Sequence, residues 1–401
     1  MIEWQEALAQ VLRLATKPEV THVPLSQAAG QVLIGAVEAH RDQPPFAASA
    51  MDGYAVQNAD AHPGAALEVI GEAAAGHSFE RPLNPGQAVR IFTGAPLPQG
   101  ADRVVIQEDV TRIEPHEEAS DQAPKITLKE ELDSSMHVRP KGADFQKGAT
   151  FDGPKRLTGR DLALLAAMNI AQVPVARKPV VAILATGDEL VMPGEHPQDD
   201  QIIASNIYGL KALVEEEGGT ARLLPIARDT KDALTQAFDL ALGADLLVTV
   251  GGASVGDHDL VGQAAAERGL DRAFYKIAMR PGKPLMAGKL ATQMLLGLPG
   301  NPVSALVCGE IFLRPLLKRM QGLQAVEPVF QTALLDTPLS KNGPRAHFLR
   351  ATLSEGRISP ARSQDSALLT LLSSANALLY RPISDPELEE GAEIQYLPLP
   401  S

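Results

Sequence analysis

Three segments of the sequence carry residue types whose spacing suits chemistry on an anion. The first is Leu246-Leu247-Val248-Thr249-Val250-Gly251-Gly252-Ala253-Ser254-Val255-Gly256-Asp257-His258-Asp259. An apolar run leads into three glycines and then a helix start. Glycine permits positive φ and lets a ligand approach the backbone closely. N–H groups at a helix N-terminus attract negative charge, and Ser254 adds a hydroxyl donor. The spacing is neither a Walker loop nor G-x-G-x-x-G. It reads as a cradle for a phosphorylated small ligand, with a plain strand-to-helix turn as the alternative. Asp259 opens the following helix, either as a dipole-compensating acid or as a ligand for a divalent cation that screens phosphate.

The second segment is Lys276-Ile277-Ala278-Met279-Arg280-Pro281-Gly282-Lys283-Pro284. If 274–280 is one strand, Lys276 and Arg280 share a face and Lys283 follows on a turn. Such a set suits an oxyanion, and a solvated basic face is the alternative. The third is Leu298-Pro299-Gly300-Asn301-Pro302-Val303-Ser304-Ala305, a stiff turn that places Pro302 at the first position of a helix.

These segments need a scaffold. Val180–Leu184 and Leu246–Val250 are continuous apolar runs, as in strands covered on both faces. Helices follow from Ser205 to Glu217, over about 231–242 and from about Asp259, with a strand at 221–226 between the first two. Alternating strand and helix predicts a doubly wound parallel sheet, with ligands beyond the carboxyl ends of its strands. Glu189, Asp229 and Asp259 follow three such ends, and their convergence suits a hard cation.

The rest of the chain has a different texture. Residues 3–16 carry a helical stripe of Trp4, Ala7, Leu8, Val11 and Leu12. Residues 25–38 read as a second helix, and Thr158 caps a third that packs back on the N-terminal ones. Short β-branched segments fill about 46–152. Strands return at Phe330–Leu335, His347–Leu353, Ala377–Tyr380 and Ile394–Leu397. The predicted fold is multidomain α/β plus β. It has a helical linking domain (1–44 with 153–177) and an inserted β-rich domain (45–152). A central α/β domain (178–326) and a small C-terminal β-barrel (327–401) complete it.

Composition narrows the function classes. The 401 residues are 45% hydrophobic and 21% charged, which is ordinary for globular domains. A formal charge of −13 argues against nucleic acid and anionic membrane as partners. No stretch is apolar enough to span a membrane and no signal peptide is visible, so a cytoplasmic location is expected. Cys308, the single cysteine, reads as a buried small hydrophobe. The nine histidines are scattered without zinc spacing.

Six motifs, in order, resemble the molybdopterin molybdenumtransferase family, the MoeA-type molybdenum insertases that include the E domain of gephyrin. Ser49–Ala55 is similar to S-x-M-D-G-Y-A, Thr93–Val105 to T-G-A-x-x-P-x-G-A-D-x-V-V, and Arg139–Asp144 to R-x-x-G-x-D. Thr186–Leu190 is similar to T-G-D-E-L, Gly251–Asp259 to G-G-x-S-x-G-x-x-D, and Leu298–Ala305 to L-P-G-N-P-V-S-A. The resemblance implies conversion of adenylyl-molybdopterin and molybdate to molybdenum cofactor and AMP, with Mg2+. It implies a homodimer whose site is shared between subunits. It also suggests a molybdopterin adenylyltransferase and molybdoenzyme-maturation factors as partners.

By position it assigns catalytic roles to Asp52, Thr93, Asp144, Glu189, Asp229, Asp259, Lys276 and Arg280. Ligand binding falls to Gly251, Gly252, Ser254, Gly256, Lys283, Pro299, Gly300, Asn301 and Pro302, and metal to Glu189, Asp229 and Asp259. Arg280 replaces the family's second lysine, Ala47 and Ala48 replace Asp-Asn, and Ala253 replaces valine. The adenylyltransferase that makes the adenylylated pterin shares such a loop but is a small single domain. A protein-binding scaffold is the non-enzymatic alternative.

Overall fold

The computed structural model describes residues 1–113, 123–252, 260–291 and 293–400. Asp259, Ser254 and Gly256 lie outside the described residues. Among the described residues no helix is long and apolar enough to cross a membrane.

The helix Trp4–Leu14 forms on the predicted stripe and buries all five of its residues. It packs on the central α/β unit and the barrel rather than on the capped helix. Its Trp4 ring sits 5.9, 5.5 and 5.9 Å from those of Phe330, Phe348 and Tyr380. Residues 25–38 are not a helix. They form one 3-10 turn, Leu25–Gln27, and the strands Val32–Leu33 and Ala36–Glu38. Gly30 and Gly35 sit at φ of 72° and 79°, a conformation that interrupts any helix there. The linking region is thus a four-stranded sheet, ordered Val20–Pro24, Gln172–Ala176, Val32–Leu33, Lys155–Arg156. Thr158 and Asp161 form a reciprocal capping box on the helix Gly159–Ala167.

Val32 pairs with Arg156, so the chain leaves this sheet and returns to it across the β-rich stretch. That stretch holds a six-stranded sheet whose middle strands are Gln87–Ile91 and Ala66–Ala73. A separate ribbon pairs Ala48–Ser49 with Val138–Arg139.

The central sheet runs Thr220–Leu223, Val180–Ala185, Leu246–Val250, Gln293–Leu298, Pro284–Leu290, Leu270–Lys276. The first four strands are parallel, Pro284–Leu290 adds antiparallel to them, and Leu270–Lys276 pairs antiparallel with Pro284–Leu290 at the edge. Helices Asn206–Glu216, Lys231–Leu240 and Leu260–Glu267 connect the strands. One long helical run covers the sheet: Pro302–Cys308, a π turn at Gly309–Leu313, then Arg314–Met320. Cys308 is fully buried within it, and burial pushes its thiol well above the ordinary range. Arg314 binds Glu310, Glu217 and Glu216 at 2.6, 2.7 and 3.0 Å, while Arg156 reaches the same Glu217 at 3.1 Å. This charge network ties the linking sheet to the α/β unit.

Residues 274–280 are not one strand. Leu270–Lys276 ends in the central sheet, whereas Met279–Arg280 pairs with Ala346–Ser354 of the C-terminal sheet. Ile277, Ala278 and Met279 are all buried in between, because the chain crosses from one layer to the next there. The C-terminal strands close into a five-stranded barrel: Ala346–Ser354, Arg357–Pro360, Gln331–Leu335, Glu393–Pro398 and Ala377–Arg381, the last pairing back with the first.

At one end of the barrel, register places His347 between Arg280 and Arg381 on neighbouring strands. Burial, then Arg280, Arg345, Arg381 and Arg350, push the imidazole down to about 4. The unfolded chain, near 6.5, therefore binds a proton that the folded one rejects, so stability falls as pH drops from about 6.5 to about 4. Urea unfolding of wild type should lose on the order of 2 kcal/mol across that window through this group. In His347→Gln that part of the slope should vanish. An identical slope in both proteins would refute the assignment.

Candidate active site

Three parallel strands of the central sheet end at one level. Ala185 pairs with Val250, and Val250 with Leu298. The turns that follow, at Thr186-Gly187, Gly251-Gly252 and Pro299-Gly300, therefore emerge side by side and line a cleft of about 430 Å³. Thr186 N–H donates to Val250 O at 3.0 Å and Gly251 N–H to Leu298 O at 3.2 Å, which sets the turns against one another. Gly251 has φ of 91°, and a Cβ there would stand 2.6 Å from Thr186 O. Only glycine fits that approach. Behind the turn, the buried Thr186 hydroxyl has no hydrogen-bond partner among the described residues.

Pro299, Gly300, Asn301 and Pro302 form the opposite wall, with Pro302 in the first turn of its helix. Asn206 Nδ2 donates to Gly300 O at 2.7 Å and holds this turn to the helix Asn206–Glu216. Asn301 Nδ2 donates to Ser366 Oγ at 3.0 Å and holds it to the barrel.

Glu189 and Asp229 line the same cleft. Asp188 stands behind them, accepting from Asp229 N–H at 3.2 Å. Burial first, then the charges of Asp188 and Glu189, holds the Asp229 carboxyl above its usual range. Crowded carboxylates of this kind are relieved by a hard cation with oxygen ligands, so this donor set fits Mg2+. Among the described residues no group of three or more His, Cys, Asp or Glu is placed to hold a metal. The cleft thus brings together two of the three acids read from the sequence, and the third, Asp259, lies outside the described residues.

A second cleft, of about 600 Å³, adjoins the first, because Pro284 and Ser304 line both. Arg280, Lys283 and Arg345 supply its positive charge, and Ser363, Gln364, Asp365 and Ser366 its polar wall. Arg345 escapes sequence reading. It is remote in the chain and reaches the cleft only because Met279–Arg280 adds to the barrel. Lys276 lines neither cleft. It ends its strand opposite Pro284, with its ammonium 5.4 Å from the Tyr275 ring centroid. Lys276 and Arg280 therefore do not share one strand face, and the cations that converge are Arg280, Lys283 and Arg345.

Asp52, Thr93 and Asp144 occupy the inserted β-rich region. Thr93 N–H and Oγ1 donate to Asp52 Oδ1 at 2.7 and 2.9 Å. These two bonds hold the Asp52 carboxyl below its usual range. Arg90 stacks on Tyr54 and Phe92 beside them, at 5.1 and 4.8 Å from the ring centroids. Asp144 N–H donates to Gln43 O at 2.9 Å, next to the ribbon that carries Ser49. None of the three lines either cleft of its own chain.

Comparison with known proteins bears on this arrangement. Residues 2–169 match the family described as MoeA N-terminal region (domain I and II). Residues 182–319 match the Probable molybdopterin binding domain, and 332–399 the MoeA C-terminal region (domain IV). The chain is 36% identical to the molybdopterin molybdenumtransferase of Nostoc sp., over 97% of this chain and 91% of that protein. It is 35% identical to molybdopterin molybdenumtransferase 2 of Mycobacterium tuberculosis, over 98% of both. Two solved MoeA structures from Pyrococcus horikoshii superpose with TM-scores of 0.85 and 0.83, at 30% and 25% identity, over 99% and 100% of both chains. With three family models matched in order along nearly the whole chain and relatives 36% and 35% identical over almost its full length, the chain belongs to the MoeA-type molybdopterin molybdenumtransferase family.

Proposed function

We propose that the chain inserts molybdenum in the last step of molybdenum cofactor synthesis, taking adenylyl-molybdopterin and molybdate to molybdenum cofactor and AMP. The observation that carries this reading is the contact between two clefts of opposite character. One has a glycine turn and acids, the other a ring of cations, and they share Pro284 and Ser304. A phosphorylated pterin and a tetrahedral oxyanion held side by side is what the reaction requires.

The residues divide the work by chemistry. The turn at Gly251-Gly252 gives a phosphate close access to the backbone. Arg280, Lys283 and Arg345 hold molybdate, and Arg280 can fork onto two of its oxygens. Glu189 and Asp229, with Asp259, would hold Mg2+, which supplies charge neutralisation at the phosphoanhydride. Asp52, Thr93 and Asp144 face neither cleft of their own chain, and that supports a homodimer in which they complete the site of the second subunit. The reading places the enzyme in the cytoplasm. There a molybdopterin adenylyltransferase supplies its substrate and molybdoenzyme-maturation factors receive its product.

With adenylyl-molybdopterin, molybdate and Mg2+, AMP release measured by chromatography should fall about 100-fold in Asp229→Ala. Lys283→Ala should instead need roughly tenfold more molybdate for half-maximal rate, with the saturating rate largely kept. AMP release at the wild-type rate in Asp229→Ala, or an unchanged molybdate dependence in Lys283→Ala, would contradict the division of roles.

A further inference from the structure

Arg350 is among the largest fully buried side chains, at 1% exposure. Its guanidinium makes no ion pair among the described residues. Its bonds go instead to one loop. Nη1 donates to Leu368 O and Nη2 to Ser363 O, both at 3.1 Å, and Nε donates to Gln364 Oε1 at 3.4 Å. Gln364 closes the clasp from the other side. Its Oε1 accepts from Arg350 N–H at 3.0 Å, and its Nε2 donates to Arg350 O and Ala361 O at 3.1 and 3.2 Å. A buried cation without a carboxylate partner is costly, so a fold retains one where its charge or its geometry serves something else.

The loop of residues 361–368 is the polar wall of the cation-lined cleft, through Ser363, Gln364, Asp365 and Ser366. Its far side is pinned to the central unit, where Val303 N–H donates to Ser366 O and Asn301 Nδ2 to Ser366 Oγ, each at 3.0 Å. We propose that Arg350 is a positioning residue for oxyanion recognition: clasped by Gln364, it fixes this loop opposite Arg280, Lys283 and Arg345 and sets a permanent positive charge behind it. Burial works against that charge, and Asp365 nearby favours it. An anion entering the cleft adds to that compensation. The inference rests on the reading of this cleft as the molybdate site.

Full-length Arg350→Lys and Gln364→Ala separate positioning from bulk stability. Lysine keeps the charge but cannot fork to two carbonyls, and the glutamine variant keeps the guanidinium while opening the clasp. Calorimetric titration should show molybdate affinity reduced about tenfold in both, the size expected for lost hydrogen bonds to a charged group. AMP affinity, read at the neighbouring cleft, should stay within twofold. Wild-type molybdate affinity in Gln364→Ala would overturn the proposal. So would an equal loss of AMP affinity, which marks a purely structural role. Lys283→Ala tests the premise separately: if it too binds molybdate like wild type, the cleft assignment fails, whatever Arg350 does.

Discussion

The structure turns on the level at which three parallel strands stop. Because Ala185, Val250 and Leu298 lie in register, the turns beyond them cannot spread apart. They pack with Gly251 pressed on Thr186 O, closer than any side chain would permit. That contact makes one cleft out of three separate loops. A bulkier residue at Gly251 would separate the first turn from the second, and with it the acids from the proline wall.

Charge is organised on the same frame. The acids Glu189 and Asp229 sit on the turns of the parallel strands, where crowding raises the cost of leaving them unneutralised. The cations come from elsewhere: Arg280 and Lys283 from the crossing between layers, Arg345 from the barrel. The barrel is therefore more than a terminal appendage. It supplies one side of the cation-lined cleft, and the aromatic cluster around Trp4 holds it to the N-terminal helix. An acidic molecule with a net charge of −13 can recruit an oxyanion this way, since a local concentration of cations outweighs the distant field.

Much of this was legible in the sequence, for reasons that differ by element. Val180–Ala185 and Leu246–Val250 announce themselves as uninterrupted apolar runs because both faces are covered, and Trp4–Leu14 by its stripe. Glu189 and Asp229 could be placed together because parallel topology puts strand ends on one edge. Other features depend on long-range pairing that no local pattern records. Residues 25–38 carry helix-like periodicity, yet they pair with Lys155–Arg156 and Gln172–Ala176 across the inserted stretch. Lys276 and Arg280 fit one strand by spacing, yet the chain changes sheets between them. Arg345, Arg350 and Gln364 offer no motif at all, and their relation to Lys283 exists only once the barrel docks.

The central claim is that an acid-lined cleft and a cation-lined cleft adjoin and that the second takes the oxyanion. The most direct measurement is an anomalous difference map at the molybdenum edge from crystals of the protein soaked in molybdate. The account predicts the strongest peak between Arg280, Lys283 and Arg345, within hydrogen-bond reach of the loop that carries Ser363 and Ser366. Molybdenum bound only at a distant surface, with that cleft empty, would contradict it.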